Sequence, residues 1–196
     1  EIKVVSANIK DKSGRNIFPQ YTIIERGGVR FGITGTMGAV YYDSNIKQNL
    51  QAKDDFTIES SEAALRRVVA VLETKCDVIV ALLHEQVSDG MDLVTKVPGV
   101  DIAIAGNAPG IVPVPEQLGG TLFVRPGSRG QYVYKLPLRV DKSAKKIVEF
   151  AGDPKLLDEK VPREPDMDFV VAKWENEFKA RNKPRTAAAP APTPGH

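Results

Sequence analysis

With 196 residues, 42% of them hydrophobic, the chain is long enough for one well-cored domain and a tail. Lys and Arg number 27 against 25 Asp and Glu, a net charge of +2, so composition offers no electrostatic case for nucleic acid or an anionic membrane as partner. The single cysteine, Cys76, excludes an intrachain disulfide and a multi-cysteine metal site, and no apolar run reaches the length that spans a bilayer.

In chain order, strand-like runs fall at Ile2 to Ile9, Tyr21 to Glu25 and Val29 to Thr34, the last two joined by Arg26-Gly27-Gly28, a glycine pair suited to a tight hairpin. Between Ser60 and Thr74 the residues Ala64, Leu65, Val68, Val69 and Leu72 recur at helical spacing, with Ser60 or Ser61 available as cap. A strand over Asp77 to Leu83, a short helix from Asp89 to Lys96 and a strand over Val100 to Ala105 follow, the alternation of a βαβ unit. Further strands are expected at Thr121 to Arg125, Tyr132 to Val140 and Lys146 to Phe150; lacking helices between them, they read as antiparallel, so the whole sheet is mixed. From Pro165 to Asn182 a second amphipathic helix places Met167, Val170, Val171, Trp174 and Phe178 on one face that is expected to be packed, with Pro184 as its stop. The expected division is a domain over 1–183 and a Pro/Ala-rich linker or tail over 184–196. The start at Glu1, without an initiator Met, suggests processing or a fragment.

Few residues carry chemistry. His84 ends the apolar run Val78 to Leu83, the carboxyl end of a strand, where a metal ligand or an acid–base group is well placed, though a partly exposed loop histidine is the plainer reading of this feature alone. Glu85 and Asp89 read as solvated or capping groups. Pro126-Gly127-Ser128-Arg129-Gly130 offers backbone amides and a guanidinium to an anion, with Ser128 and Arg129 as the contacts, though a surface turn of this composition is commonplace. No dinucleotide or P-loop fingerprint and no Ser or Cys nucleophile motif is present.

The succession Val4 to Ile9, Pro19 to Ile23, Gly28 to Gly35, Asp77 to His84, Val100 to Gly106 and Gly127 to Asp141 resembles the carboxy-terminal half of the catalytic domain of calcineurin-like metallophosphoesterases, in the 5'-nucleotidase and UDP-sugar hydrolase branch. The resemblance covers roughly residues 2 to 180. It implies a partial metallophosphoesterase-like α/β sandwich, a mixed sheet with flanking helices. It also implies a two-metal site that clamps a phosphoryl group and generates the attacking hydroxide. His84 matches the family's strand-end metal ligand, and the strand Val100 to Gly106 matches the one that precedes its Gly-His-x-His motif. There this chain has Asn107, an oxygen ligand at best, and Pro109, which has no side-chain donor. The amino-terminal Asp-x-His, the following Asp and the Asn-His segment have no counterpart. The resemblance therefore implies a degenerate domain, inactive alone and acting as a scaffold or interaction module, with no cofactor expected for this chain by itself. The alternative is a hydrolase whose Zn or Mn site is completed by a missing amino-terminal half. The expected partners are that half or another domain joined through the tail, and the implied location is periplasmic or extracellular.

Overall fold

A computed structural model describes residues 2–39, 56–106 and 110–182. The strand expected over Ile2 to Ile9 forms only at its end, as β1 (Ile9–Asp11), antiparallel to β4 (Phe56–Ile58). Residues before it take other partners: the Ser6 amide donates to the Pro19 carbonyl at 3.0 Å and the Ala7 amide to that of Gly35 at 2.8 Å.

The main sheet grows from the predicted hairpin. Gly27 and Gly28, at φ of 57° and 71°, turn β2 (Tyr21–Arg26) back on β3 (Val29–Met37), the left-handed pair that matches strand twist. The chain then returns through α1 (Ser61–Leu72), capped by the Ser60 hydroxyl accepting the Ala63 amide, to β5 (Val78–His84), parallel to β3. A second helix, α2 (Val87–Lys96), leads to β6 (Ile102–Ala105), parallel to β5. Two short strands, β7 (Glu116–Leu118) and β8 (Thr121–Val124), close the edge. β8 runs parallel to β6 and β7 antiparallel to β8, giving the order β2-β3-β5-β6-β8-β7.

Strand parity divides the core. Ile79, Ala81 and Leu83 point with Ala103 and Phe123 to the helix side, where Leu65, Val68 and Leu72 of α1 and Leu93 and Val94 of α2 bury them. Val78 and Val80 point with Ile102 and Val124 to the other face, which is covered by a small antiparallel layer. That layer departs from expectation: the run Tyr132 to Val140 is two strands, β9 (Tyr132–Lys135) and β10 (Leu138–Asp141), broken at Leu136-Pro137 because proline has no N–H to continue a ladder. β10 pairs with β11 (Lys146–Phe150) and β9 with β12 (Asp153–Leu156), a strand that sequence pattern did not reveal. In the turn between β10 and β11, Lys145 adopts φ of 50° and its ammonium donates to the carbonyls of Cys76 (3.1 Å) and Glu73 (3.4 Å), just past the end of α1, whose own last turn carries no basic residue.

The chain divides into two compact units at Leu157/Asp158. In the second, α3 (Pro165–Arg181) starts with proline in its first turn beside Asp166 and Asp168 and ends on Lys179 and Arg181, as its dipole favours. No residue of α3 is buried, and Trp174 and Phe178 are 60% and 69% exposed. The expected tail, 184–196, lies outside the described residues.

Candidate functional site

Parallel strands place their carboxyl ends side by side, and the register fixes which residues meet there. Gly35 lies opposite Leu82 and Met37 opposite His84 between β3 and β5, while Leu82 faces Ile104 and Leu83 faces Ala105 between β5 and β6. The ladder continues past the strands through the Gly38 amide on the His84 carbonyl (3.1 Å) and the Gly106 amide on the Leu83 carbonyl (2.8 Å). His84 therefore sits between the end of β3 and Gly106. It lines a cleft of about 350 Å³ whose other walls include Val4, Phe18, Leu82 and Ile104. His84 itself is half-buried.

Behind His84 the polar groups are tied down. Glu85, expected in solvent, is 6% exposed, because alternation turns the residue after His84 to the helix side with Leu83. Its Oε1 accepts the Ser61 hydroxyl at 2.6 Å and the Thr36 hydroxyl at 3.1 Å, which joins the end of β3, the end of β5 and the start of α1. Burial pushes the Glu85 carboxyl above its ordinary range; the two hydroxyls and the nearby His84 oppose the shift and Asp89 adds to it. Fully buried Asn8 belongs to the same knot: its amide nitrogen donates to the carbonyls of Met37 (2.7 Å) and Glu59 (3.1 Å), and its oxygen accepts the Met37 amide (3.0 Å). Sequence reading missed the roles of Asn8, Thr36, Ser61 and Glu85; the parity of 79, 81, 83 and 85 is the signal that could have found Glu85.

Of the other predicted site residues, Ser128 and Arg129 do not line the cleft with His84. Asn107 and Pro109 lie outside the described residues. Ser128 and Arg129 occupy an exposed turn after β8, closed by the Gln131 amide on the Ser128 carbonyl (3.2 Å), with Arg129 at φ of 59°. A larger cavity, about 590 Å³, opens at the opposite, amino ends of β6 and β8, between Pro98, Gly120, Lys145 and Phe150. Chemistry favours the smaller cleft, since Asp101 in the larger one is committed to the Ile79 amide (2.7 Å) and Lys145 to the end of α1. Among the described residues no three His, Cys, Asp or Glu side chains converge, so the donor set present, one imidazole beside hydroxyls already engaged, does not by itself fit a divalent metal.

No family model matches the chain. Among curated proteins it is 27% identical over 177 residues to the trifunctional nucleotide phosphoesterase YfkN of Bacillus subtilis (strain 168), a match to 73% of this chain and 12% of that protein. Among solved structures, the sulfate thiohydrolase SoxB of Thermus thermophilus superposes with a TM-score of 0.80 at 19% identity, over 91% of this chain and 32% of that one. The calcineurin-like phosphoesterase YfkN of B. subtilis gives 0.76 at 21%, over 93% and 65%. A 5'-nucleotidase precursor of T. thermophilus gives 0.71 at 20%, over 91% and 38%. At these identities the superpositions establish the fold, and in each case the relative carries chain that this one does not span.

Proposed function

We propose, from the premise that this chain has the calcineurin-like phosphoesterase fold in its 5'-nucleotidase-like form, that it is the carboxy-terminal half of such a catalytic domain with a degenerate metal site. On this reading it serves as a scaffold or interaction module and not as a hydrolase. One observation carries it. In sequence, Gly106 is followed by Asn107-Ala108-Pro109 where the resemblance calls for His-x-His, and Gly106 itself lies next to the end of β5, its amide on the Leu83 carbonyl. His84 is the one ligand position that the described residues keep. Two-metal chemistry, when both ions are bound, supplies a hydroxide and clamps the phosphoryl oxygens; here His84 would hold one ion's edge and Glu85 would fix the strand end behind it.

The test is calorimetric titration of the 196-residue chain with Zn²⁺ and Mn²⁺, with an aryl phosphate assay supplemented by the same ions. Binding weaker than micromolar and no turnover above background are expected. Submicromolar binding that His84→Ala abolishes, accompanied by turnover, overturns the degenerate reading.

A second reading has its own support: His84 lines a cleft at the end of β5, and the curated relative is a nucleotide phosphoesterase. In it, a missing amino-terminal half completes a Zn or Mn site and restores phosphoester hydrolysis. Ser128 and Arg129 would contact an anion in either reading, which phosphate titration followed at their amides would reveal. Both readings place the protein in the periplasm or outside the cell; among the described residues no helix is long and apolar enough to cross a membrane.

A further inference from the structure

The cavity of about 590 Å³ at the amino ends of β6 and β8 takes no part in the site at His84. Its polar groups are too committed for catalysis. A binding site asks for something else: a concave apolar surface with a few polar groups at one part of the ligand, in a volume of roughly 300 to 1,000 Å³. The lining hydroxyls are taken, Thr95 donating to the Met91 carbonyl and Thr121 to that of Val100, so nothing there is poised to make or break a bond.

The floor of the cavity is apolar. Leu122 alternates with Val124 onto the face that β10 and β11 cover, and Ile147 packs from β11 onto that same face. Val94 and Val100 are each 2% exposed and Leu122 6%, while Ile147 and Phe150 on the β11 side are half-buried. The hairpin between β7 and β8 supplies a bare stretch of wall. Gly119 carries the turn at φ of 61°, but Gly120 beside it has no such conformation, and an added Cβ there would meet nothing within 4 Å. A glycine that neither backbone conformation nor crowding demands leaves main chain open to close approach by a ligand.

The mouth is positive. Lys145 and Lys146 are both on the lining and exposed. Lys145 spends its ammonium on two neutral carbonyls, which leaves its charge uncancelled. The register partner of Lys146 is Asp141, whose Oδ1 accepts the amides of Ser143 (2.9 Å) and Ala144 (3.0 Å), and among the described residues Lys146 makes no ion pair. The one acid on the lining, Asp101, accepts the Ile79 amide at 2.7 Å, and burial pushes its carboxyl above the ordinary range.

We propose that this cavity is a binding site for a small amphipathic anion, an apolar, ring-sized body that lies against Leu122, Ile147 and Phe150 while its single carboxylate meets the Lys146 ammonium. Two observations select that class. The apolar floor gives a fully hydrated ion nothing to replace its water with, and the uncancelled lysines favour an anion over its neutral counterpart. One unpaired ammonium matches one negative charge. The site stands apart from His84, so it holds whether or not the metal site is degenerate.

The experiment titrates the 196-residue chain with cinnamate, with its neutral amide and with inorganic phosphate, following backbone amides by NMR. Cinnamate should shift the amides of Gly119, Gly120, Lys146 and Ile147 saturably and show nuclear Overhauser effects from its ring to Phe150 and Leu122. The neutral amide should bind about threefold to fivefold more weakly, the effect of one exposed charge pair. Lys146→Gln should cost cinnamate the same factor and leave the affinity for the neutral amide unchanged. Phosphate should give no saturable shift. The assignment is overturned by cinnamate shifts that do not saturate or that centre on Leu82 and Ile104, by equal affinity for the acid and its amide, by phosphate binding as tightly as cinnamate, or by undiminished binding to Lys146→Gln. The Overhauser contacts locate the ligand in the wild-type chain, so the test of position needs no substitution.

Discussion

The Ser61 hydroxyl donates to Glu85 Oε1 at 2.6 Å, tying the first residue of α1 to the residue that follows His84. The carboxyl also takes the Thr36 hydroxyl, so one buried side chain holds three elements. Glu85→Ala should therefore cost about 2 to 4 kcal/mol, two hydrogen bonds to a carboxyl at roughly 1 to 2 kcal/mol each with little relief from solvent. Glu85→Gln, which can still accept at one oxygen, should lose less than half of that in urea denaturation. Equal losses would mean that the charge, and not the two hydroxyl bonds, sets the contribution.

The same carboxyl makes stability depend on pH in a direction opposite to the common one. Burial raises its value in the folded protein above the ordinary 4.5, so the folded state holds the proton more tightly than the unfolded state does. Its contribution is complete below 4.5 and is lost as pH rises through the raised value. Wild type minus Glu85→Gln, followed by thermal denaturation from acid to neutral pH, should fall across that window. A difference that rises with pH would contradict the assignment.

Glu59 works the other way. Arg67 grips both its oxygens at 2.8 and 3.0 Å and Lys10 adds an ion pair at 3.1 Å, which holds its carboxyl down at about 2. Its contribution is present above the ordinary 4.5 and disappears as pH falls toward about 2. The stability of Glu59→Gln should vary less with pH than that of wild type between those values, as melting curves would show. An unchanged acid limb would place the acid sensitivity elsewhere, with Asp11, also held at about 2 by the Ser13 hydroxyl and the Arg15 amide, as the next group to substitute.

Trp174 is the only tryptophan, so tryptophan fluorescence reports α3 alone. At 60% exposure its emission should be that of a solvated indole and should be quenched by acrylamide nearly as well as free tryptophan. Trp174→Ala should change stability by no more than about 0.5 kcal/mol, as exposed substitutions do. A blue-shifted, protected emission would show that the ring is covered in solution.

Periodicity made the frame of the first unit legible. The stripe Ala64, Leu65, Val68, Val69, Leu72 is the buried face of α1, and Gly27-Gly28 is the hairpin it suggested, because burial and positive φ impose local demands that a sequence records. Short strands escaped: β4, β7 and β12 have three or four residues each, too few for a period to show. The stripe on α3 was legible as an apolar face, and spacing by itself says nothing of what covers it. At the site, His84 was visible as a strand end. The knot behind it was not, since Asn8, Thr36, Ser61 and Glu85 come from separate stretches that only the tertiary fold brings together.

Lys145 adds a matter of timing. The carbonyls it serves belong to Glu73 and Cys76, separated from it by 72 and 69 residues. Contacts that close loops of that size form late, after local helices and hairpins. The end of α1 is closed locally by the Lys75 and Cys76 amides on the Leu72 carbonyl, and Lys145 adds to that a charge from the β10–β11 turn, so the helix end and the distant layer are joined through one side chain.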